Sequence, residues 1–227
     1  IDLERFLMTE FNYAPTEDFN KPFAESLGMY PRAHDFTFNI LRWLGAWLCF
    51  LFIRLQYMVS IEGKIPNDKK LVIVANHQSH LDTWALIAAL PYKVRSKLTV
   101  LAAADYFFTQ DDRAFLATIF CQAVAFDRLN PMELRNWHKI FKETKQGYFL
   151  FYPSGSRSSD DFQTGLLKIL LKNDWSILGV KINGTKEAWA IENKYWRPFK
   201  KLKFKFYEPY RGNDIDALLS KLKEELL

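Results

Sequence analysis

The densest cluster of polar side chains is Asn76-His77-Gln78-Ser79-His80-Leu81-Asp82. On a regular helix His77 and Asp82 would point roughly 140° apart and would not meet. At a strand-to-helix turn that restriction loosens. The loop can fold His77 back so that Asp82 accepts its second ring proton, which fixes the tautomer and makes the other nitrogen a general base. Helix capping by Ser79 or Asp82 explains the same residues without catalysis. Ser79, His80 and Asp82 are also triad residue types, but they are too close in sequence to line up, and the chain carries no G-x-S-x-G elbow. A metal on His77, His80 and Asp82 would lack a third imidazole or a cysteine nearby, so no metal is expected.

Two further clusters suit an anion. Pro153-Ser154-Gly155-Ser156-Arg157-Ser158-Ser159 follows an apolar run and combines small residues, whose backbone amides can approach a phosphate, with the planar fork of Arg157. Phe126-Asp127-Arg128 also follows an apolar run, although a surface ion pair would account for that dipeptide equally well.

Taken in order, H-x-x-x-x-D, F-D-R and P-x-G-x-R lie roughly 45 and roughly 25 residues apart. This arrangement resembles the glycerolipid acyltransferase family, which includes the 1-acylglycerol-3-phosphate acyltransferases. The resemblance runs from about Val59 to Ala188. Asn76, Gly165 and Val180-Lys181-Ile182-Asn183-Gly184-Thr185 are further matching points. It implies an acyltransferase that moves a fatty acyl group from an acyl thioester, acyl-CoA or acyl-ACP, to the hydroxyl of a lysophospholipid or glycerol phosphate, with no other cofactor. It further implies His77 as base, Asp82 as its orienting partner, and Arg128 with Arg157 as the grip on phosphate. Asn76, Ser154, Gly155 and Ser156 are assigned to the substrate by the same analogy.

The third block departs from the family's usual F-P-E-G-T-R-S, with Ser154 in the place of glutamate and Ser156 in that of threonine. A serine–glycine version looks like the soluble plastid-type glycerol-3-phosphate acyltransferases. The fourth block has Gly179 where a proline is customary, a change expected to alter the substrate pocket. A degenerate, non-catalytic member that docks on membranes or on a partner is the competing reading.

The elements that must hold these clusters alternate. Strands are expected over 70–76, 98–103, 123–126, 148–152, 176–182 and 202–206, and helices over 81–90, 113–121, 131–145, 162–172 and 215–227. That rhythm predicts an α/β fold with a mostly parallel, mixed sheet flanked by helices. In such sheets ligands bind where strands end and helices begin, which is where the His77 cluster falls.

Ahead of this body, residues 10–33 carry three prolines and read as an extended arm. Trp43 to Ile53 is uncharged and lies between Arg42 and Arg54. Eleven apolar residues are too few to span a bilayer, which needs roughly 20. The segment instead reads as a membrane-associating interfacial helix continuing to Met58, with core packing as the alternative use of the same residues. Residues 1–58 are therefore taken as the arm and interfacial segment, and 59–227 as the acyltransferase domain.

The whole chain, 227 residues with 49% apolar and 25% charged, is neither disordered nor a disulfide-stapled miniature. Cys49 and Cys121 sit in apolar runs and read as free thiols of a reducing compartment. The net charge of +5 divides into −3 for residues 1–34 and +8 for the rest. A basic body suits a phosphate-bearing acceptor and a membrane surface. Nucleic acid is not expected as a partner, because Lys201, Lys203 and Lys205 on one strand face are read as a solvated or lipid-facing edge. The expected location is the cytoplasmic side of a membrane, peripheral or monotopic. Because it opens on Ile1 and not on methionine, the chain is read as a trimmed or partial polypeptide, and nothing in it resembles a signal peptide.

Overall fold

A computed structural model describes residues 36–103, 107, 111–126, 131–154, 162 and 164–227. The arm expected over residues 10–33 lies outside them, as do Asp127, Arg128, Gly155, Ser156 and Arg157. In chain order the elements are α1 (Phe36–Gln56), β1 (Met58–Glu62), β2 (Lys70–Ala75), α2 (Asp82–Ala89), α3 (Tyr92–Arg95), β3 (Leu98–Ala103), α4 (Asp111–Cys121) and β4 (Ala123–Phe126). They continue with α5 (Pro131–Glu143), β5 (Gly147–Phe151), α6 (Thr164–Lys172), β6 (Ser176–Asn183), α7 (Thr185–Ala188), β7 (Lys201–Phe206) and α8 (Ile215–Leu226).

Seven strands form one sheet in the order β1-β7-β6-β2-β5-β3-β4, parallel throughout except where β7 runs against β6. The predicted mixed α/β sheet is thus observed. Its central strands are nearly continuous runs of Val, Ile, Leu and Phe because helices cover both of their faces. Leu71, Ile73, Tyr148 and Leu150 enter one core, beneath α1, α2 and α4. The alternate residues Val72, Val74, Phe149 and Phe151 enter the other, against α5, α6 and α8. There Trp137, Phe141, Phe149 and Trp175 meet at centroid separations of 5.1–6.4 Å, and the Trp175 indole donates to the Phe141 carbonyl at 3.1 Å. Edge-to-face rings of this kind add about 0.5–1.5 kcal/mol per pair beyond their burial.

The N-terminal part differs from the sequence expectation in one respect. The helix stops at Gln56, and Met58–Glu62 forms an edge strand parallel to β7. The five residues M-V-S-I-E carry little local signal, and their partner lies far along the chain. In α1, Gly45, Cys49 and Ile53 face inward, and Gly45 lies so close to Ile119 of α4 that a Cβ there would sit 2.6 Å from the Ile119 carbonyl oxygen. Trp43, Leu44, Trp47 and Leu48 form the opposite, exposed side. Core packing and an exposed apolar face therefore share this one helix. Among the described residues no helix is long and apolar enough to cross a membrane.

Strand β7 alternates as expected, with Leu202, Phe204 and Phe206 buried and Lys201, Lys203 and Lys205 exposed. It is an interior strand and not the edge that its sequence suggested, because β1 pairs along its far side. Gly184, at φ +87°, turns the chain out of β6 where a Cβ would strike the Lys201 carbonyl.

Candidate active site

Four parallel strands, β2 to β5, end on one side of the sheet, and the His77 block leaves the sheet at the end of β2. Asn76 is the first residue beyond that strand. Its side-chain carbonyl accepts the Ile182 N–H at 2.7 Å and its amide donates to the Ile182 carbonyl at 3.0 Å, so the side chain imitates one more rung of the β2–β6 ladder. Asn76, assigned to the substrate by analogy, has both amide atoms committed to this clamp, which fixes where His77 begins.

The turn then brings together the pair that the spacing predicted. His77 Nδ1 lies 2.9 Å from Asp82 Oδ2. The same oxygen accepts the backbone N–H groups of Gln78 at 2.6 Å and Ser79 at 2.8 Å. A carboxylate takes the ring proton on Nδ1, and this leaves the lone pair on Nε2. Asp82 is fully buried, and its Oδ1 has no hydrogen-bond partner among the described residues. The aspartate thus orders the turn ahead of α2 and holds the ring, whereas the helix capping offered as the alternative is not made: α2 has no side-chain cap.

Ser79 is buried too, with its hydroxyl donating to the Trp189 carbonyl and accepting the Leu81 N–H at 3.0 Å. Its hydroxyl is thus engaged both as donor and as acceptor within the fold. His80 Nε2 lies 3.3 Å from the Ile191 carbonyl oxygen, and its ring packs on Trp189. No group of three metal-ligating side chains forms among the described residues.

Sequence reasoning missed the second support of His77. The Tyr152 ring, one residue past β5, stacks on the imidazole with centroids 4.1 Å apart and planes at 18°. Its hydroxyl is 2.8 Å from Thr83 Oγ1, next to Asp82. The available signal was positional: Tyr152 immediately precedes the P-x-G-x-R block. Of that block, Pro153 is buried and Ser154 half-buried, at the same end of the sheet.

His77 and Tyr152 help to line a cavity of about 540 Å³. Its walls are predominantly apolar: Trp84, Val100, Leu116, Ala117 and Phe126 contribute, together with Cys121. His80, Asn193 and Lys194 are among its few polar neighbours. The Trp84 indole N–H donates to Cys121 Sγ at 3.0 Å, and burial pushes the Cys121 thiol up to about 12. Cys49 is held at about 12 in the same way, by burial first and by the neighbouring Cys121 second. Both are free thiols, as the sequence indicated, and both are neutral near pH 7.

Gly179, which stands where a proline is customary, is not among the residues that line this cavity. It faces α8, where a Cβ would stand 2.2 Å from the Glu225 carboxylate. Glu225 is buried and paired with Lys221 at 2.9 Å. A carboxylate from the C-terminal helix fills the space that a side chain at 179 would need.

A family model described as Acyltransferase matches residues 57–183 of the chain. No curated protein matches it by sequence. Among solved structures, the chain resembles the 1-acyl-sn-glycerophosphate (LPA) acyltransferase PlsC from Thermotoga maritima, with a TM-score of 0.61 and 22% identity over 85% of this chain and 77% of that one.

Proposed function

The chain belongs to the acyltransferase family, and from that premise we infer that it moves a fatty acyl group from a thioester, acyl-CoA or acyl-ACP, to the hydroxyl of a lysophospholipid or glycerol phosphate at a membrane surface. The observation that carries this reading is the His77–Asp82 pair, 2.9 Å apart, with His77 on the wall of an apolar cavity. A thioester is already activated, so the enzyme needs no nucleophile of its own. Nε2 of His77 takes the acceptor's hydroxyl proton as that oxygen attacks the thioester carbonyl. The tetrahedral intermediate then collapses, the C–S bond breaks, and the imidazolium returns its proton to the leaving thiolate. Asp82 holds the ring and balances its charge during the cycle.

The cavity suits the acyl chain, at about 0.8 kcal/mol per buried methylene. Arg128 and Arg157 remain the candidates for the acceptor's phosphate, as the family analogy assigns them, with Ser154, Gly155 and Ser156 beside it. The exposed face of α1, with Trp43 and Trp47, supports peripheral or monotopic attachment to the cytoplasmic side of a membrane.

Mass spectrometry of the products formed from a defined acyl thioester, offered with a panel of lysolipids and glycerol 3-phosphate, tests this function. One acylated product is expected. Ser154, in the glutamate position, favours the alternative of a non-catalytic docking protein. An absence of thiol release with every acceptor would overturn the enzymatic reading.

A further inference from the structure

Residues 189–200, between α7 and β7, read Trp-Ala-Ile-Glu-Asn-Lys-Tyr-Trp-Arg-Pro-Phe-Lys and interleave aromatic with basic side chains. The segment is firmly fastened. The Arg197 N–H donates to the Ala188 carbonyl at 2.6 Å, the Phe199 N–H to the Gln56 carbonyl at 2.7 Å, and the Met58 N–H to the Lys200 carbonyl at 3.1 Å. Phe52 of α1 packs edge-on against Trp196 at 5.7 Å. At its other end the loop is tied to the His77 block, through the Ser79 hydroxyl on the Trp189 carbonyl and the bridge between Ser79 and Ala190.

Fastening has not buried its large side chains. Tyr195 is 69% exposed and Phe199 75%. Phe199 also adopts φ +60°, a backbone region unfavourable for a bulky residue. The fold therefore maintains a strained backbone while displaying a phenylalanine to water. The segment and the first residue of β7 also carry the exposed cations Lys194, Arg197, Lys200 and Lys201, with Glu192 as the one carboxylate in the segment.

The geometry points to this loop as a second membrane contact, docking on anionic lipid headgroups beside the mouth of the cavity, which Asn193 and Lys194 line. Four cations complement an anionic leaflet, and Tyr, Trp and Phe side chains settle at headgroup depth. The loop is bonded to the end of α1, whose outer face carries Trp43, Trp47 and Leu55, so the two elements form one continuous contact. The purpose of the contact, bringing lipid to the cavity, rests on the acyl-transfer reading. The binding itself does not.

Flotation of the whole chain with vesicles of equimolar phosphatidylcholine and phosphatidylglycerol, and with phosphatidylcholine alone, tests the loop. The parent is expected to favour the anionic vesicles, with binding weakened by salt. Replacing Tyr195→Ser together with Phe199→Ser should lower partitioning about tenfold, while Phe199→Leu retains it and all variants melt with the parent. The double serine variant should keep its turnover on water-soluble, short-chain substrates and lose it on vesicle-borne acceptor. A protein that floats with its loop intact but transfers nothing would refute the enzymatic reading alone. Equal flotation of parent and double variant, equal affinity for both vesicles, or a parent that ignores vesicles and self-associates through Tyr195 and Phe199 would each overturn the loop's assignment.

Discussion

His77 is held from two sides, by the Asp82 carboxylate in its plane and by the Tyr152 ring on its face. If it is the base, His77→Ala should lower kcat by about 10² to 10⁴ without unfolding the protein. Asp82→Asn should do more, because that carboxylate also anchors the Gln78 and Ser79 amides. Hydrogen bonds to a charged acceptor are worth about 1.5–3 kcal/mol each, so thermal denaturation should show lost stability in addition to lost turnover. Tyr152→Phe keeps the stack and should stay near parental activity, whereas Tyr152→Ala should lower kcat with little change in KM. The His77–Asp82 pair was legible in the sequence, because its chemistry depends on neighbours at a turn. The stacking tyrosine and the Asn76 clamp were not, since each acts across strands that meet only in the folded sheet.

Among the elements, the central strands and the longer helices followed from local pattern, because a run such as Leu71-Val72-Ile73-Val74 can be buried on both faces only inside a covered sheet. Strand β1 and the interior place of β7 did not, since their pairing comes from distant partners and not from their own residues. The contact between β6 and α8 gives a testable example. Burial, partly offset by Lys221, raises the Glu225 carboxyl above the usual carboxylate range. The folded state then holds this proton at pH values where the unfolded chain has released it. Stability should therefore fall as pH rises from the ordinary carboxylate range through the raised value, and Glu225→Gln should flatten that part of the profile in denaturant melts. Gly179→Ala should cost about 1 kcal/mol, a drop of about 2–4 °C in melting temperature, by pushing this carboxylate off Lys221. Adding Glu225→Ala should restore most of it.

Across the whole molecule, the sheet separates two tasks. The face beneath α5, α6 and α8 is a dense aromatic core, while the ends of β2 to β5 open into the cavity beside α1, α2 and α4. Cys121 lies in that cavity wall and Cys49 on the inward side of α1, both as neutral thiols. A thiol moved from 9.0 to about 12 carries about 1,000-fold less thiolate at pH 8. Iodoacetamide should accordingly label the native protein far more slowly than the unfolded chain, and rapid native labelling would contradict the burial described. The fold and the position of the site at the strand ends were readable from the β-then-α rhythm. The cavity's walls come from β3, α4, β4 and the loop after α7, which no single stretch of sequence places together.

The decisive measurement is the rate of acyl-ester formation from a defined acyl thioester and a lysophospholipid, followed by mass spectrometry for the parent and for His77→Ala at a temperature where both are folded. A phospholipid product is expected from the parent and a loss of at least about 100-fold in the variant. Equal rates in the two proteins would contradict the role of His77 as base.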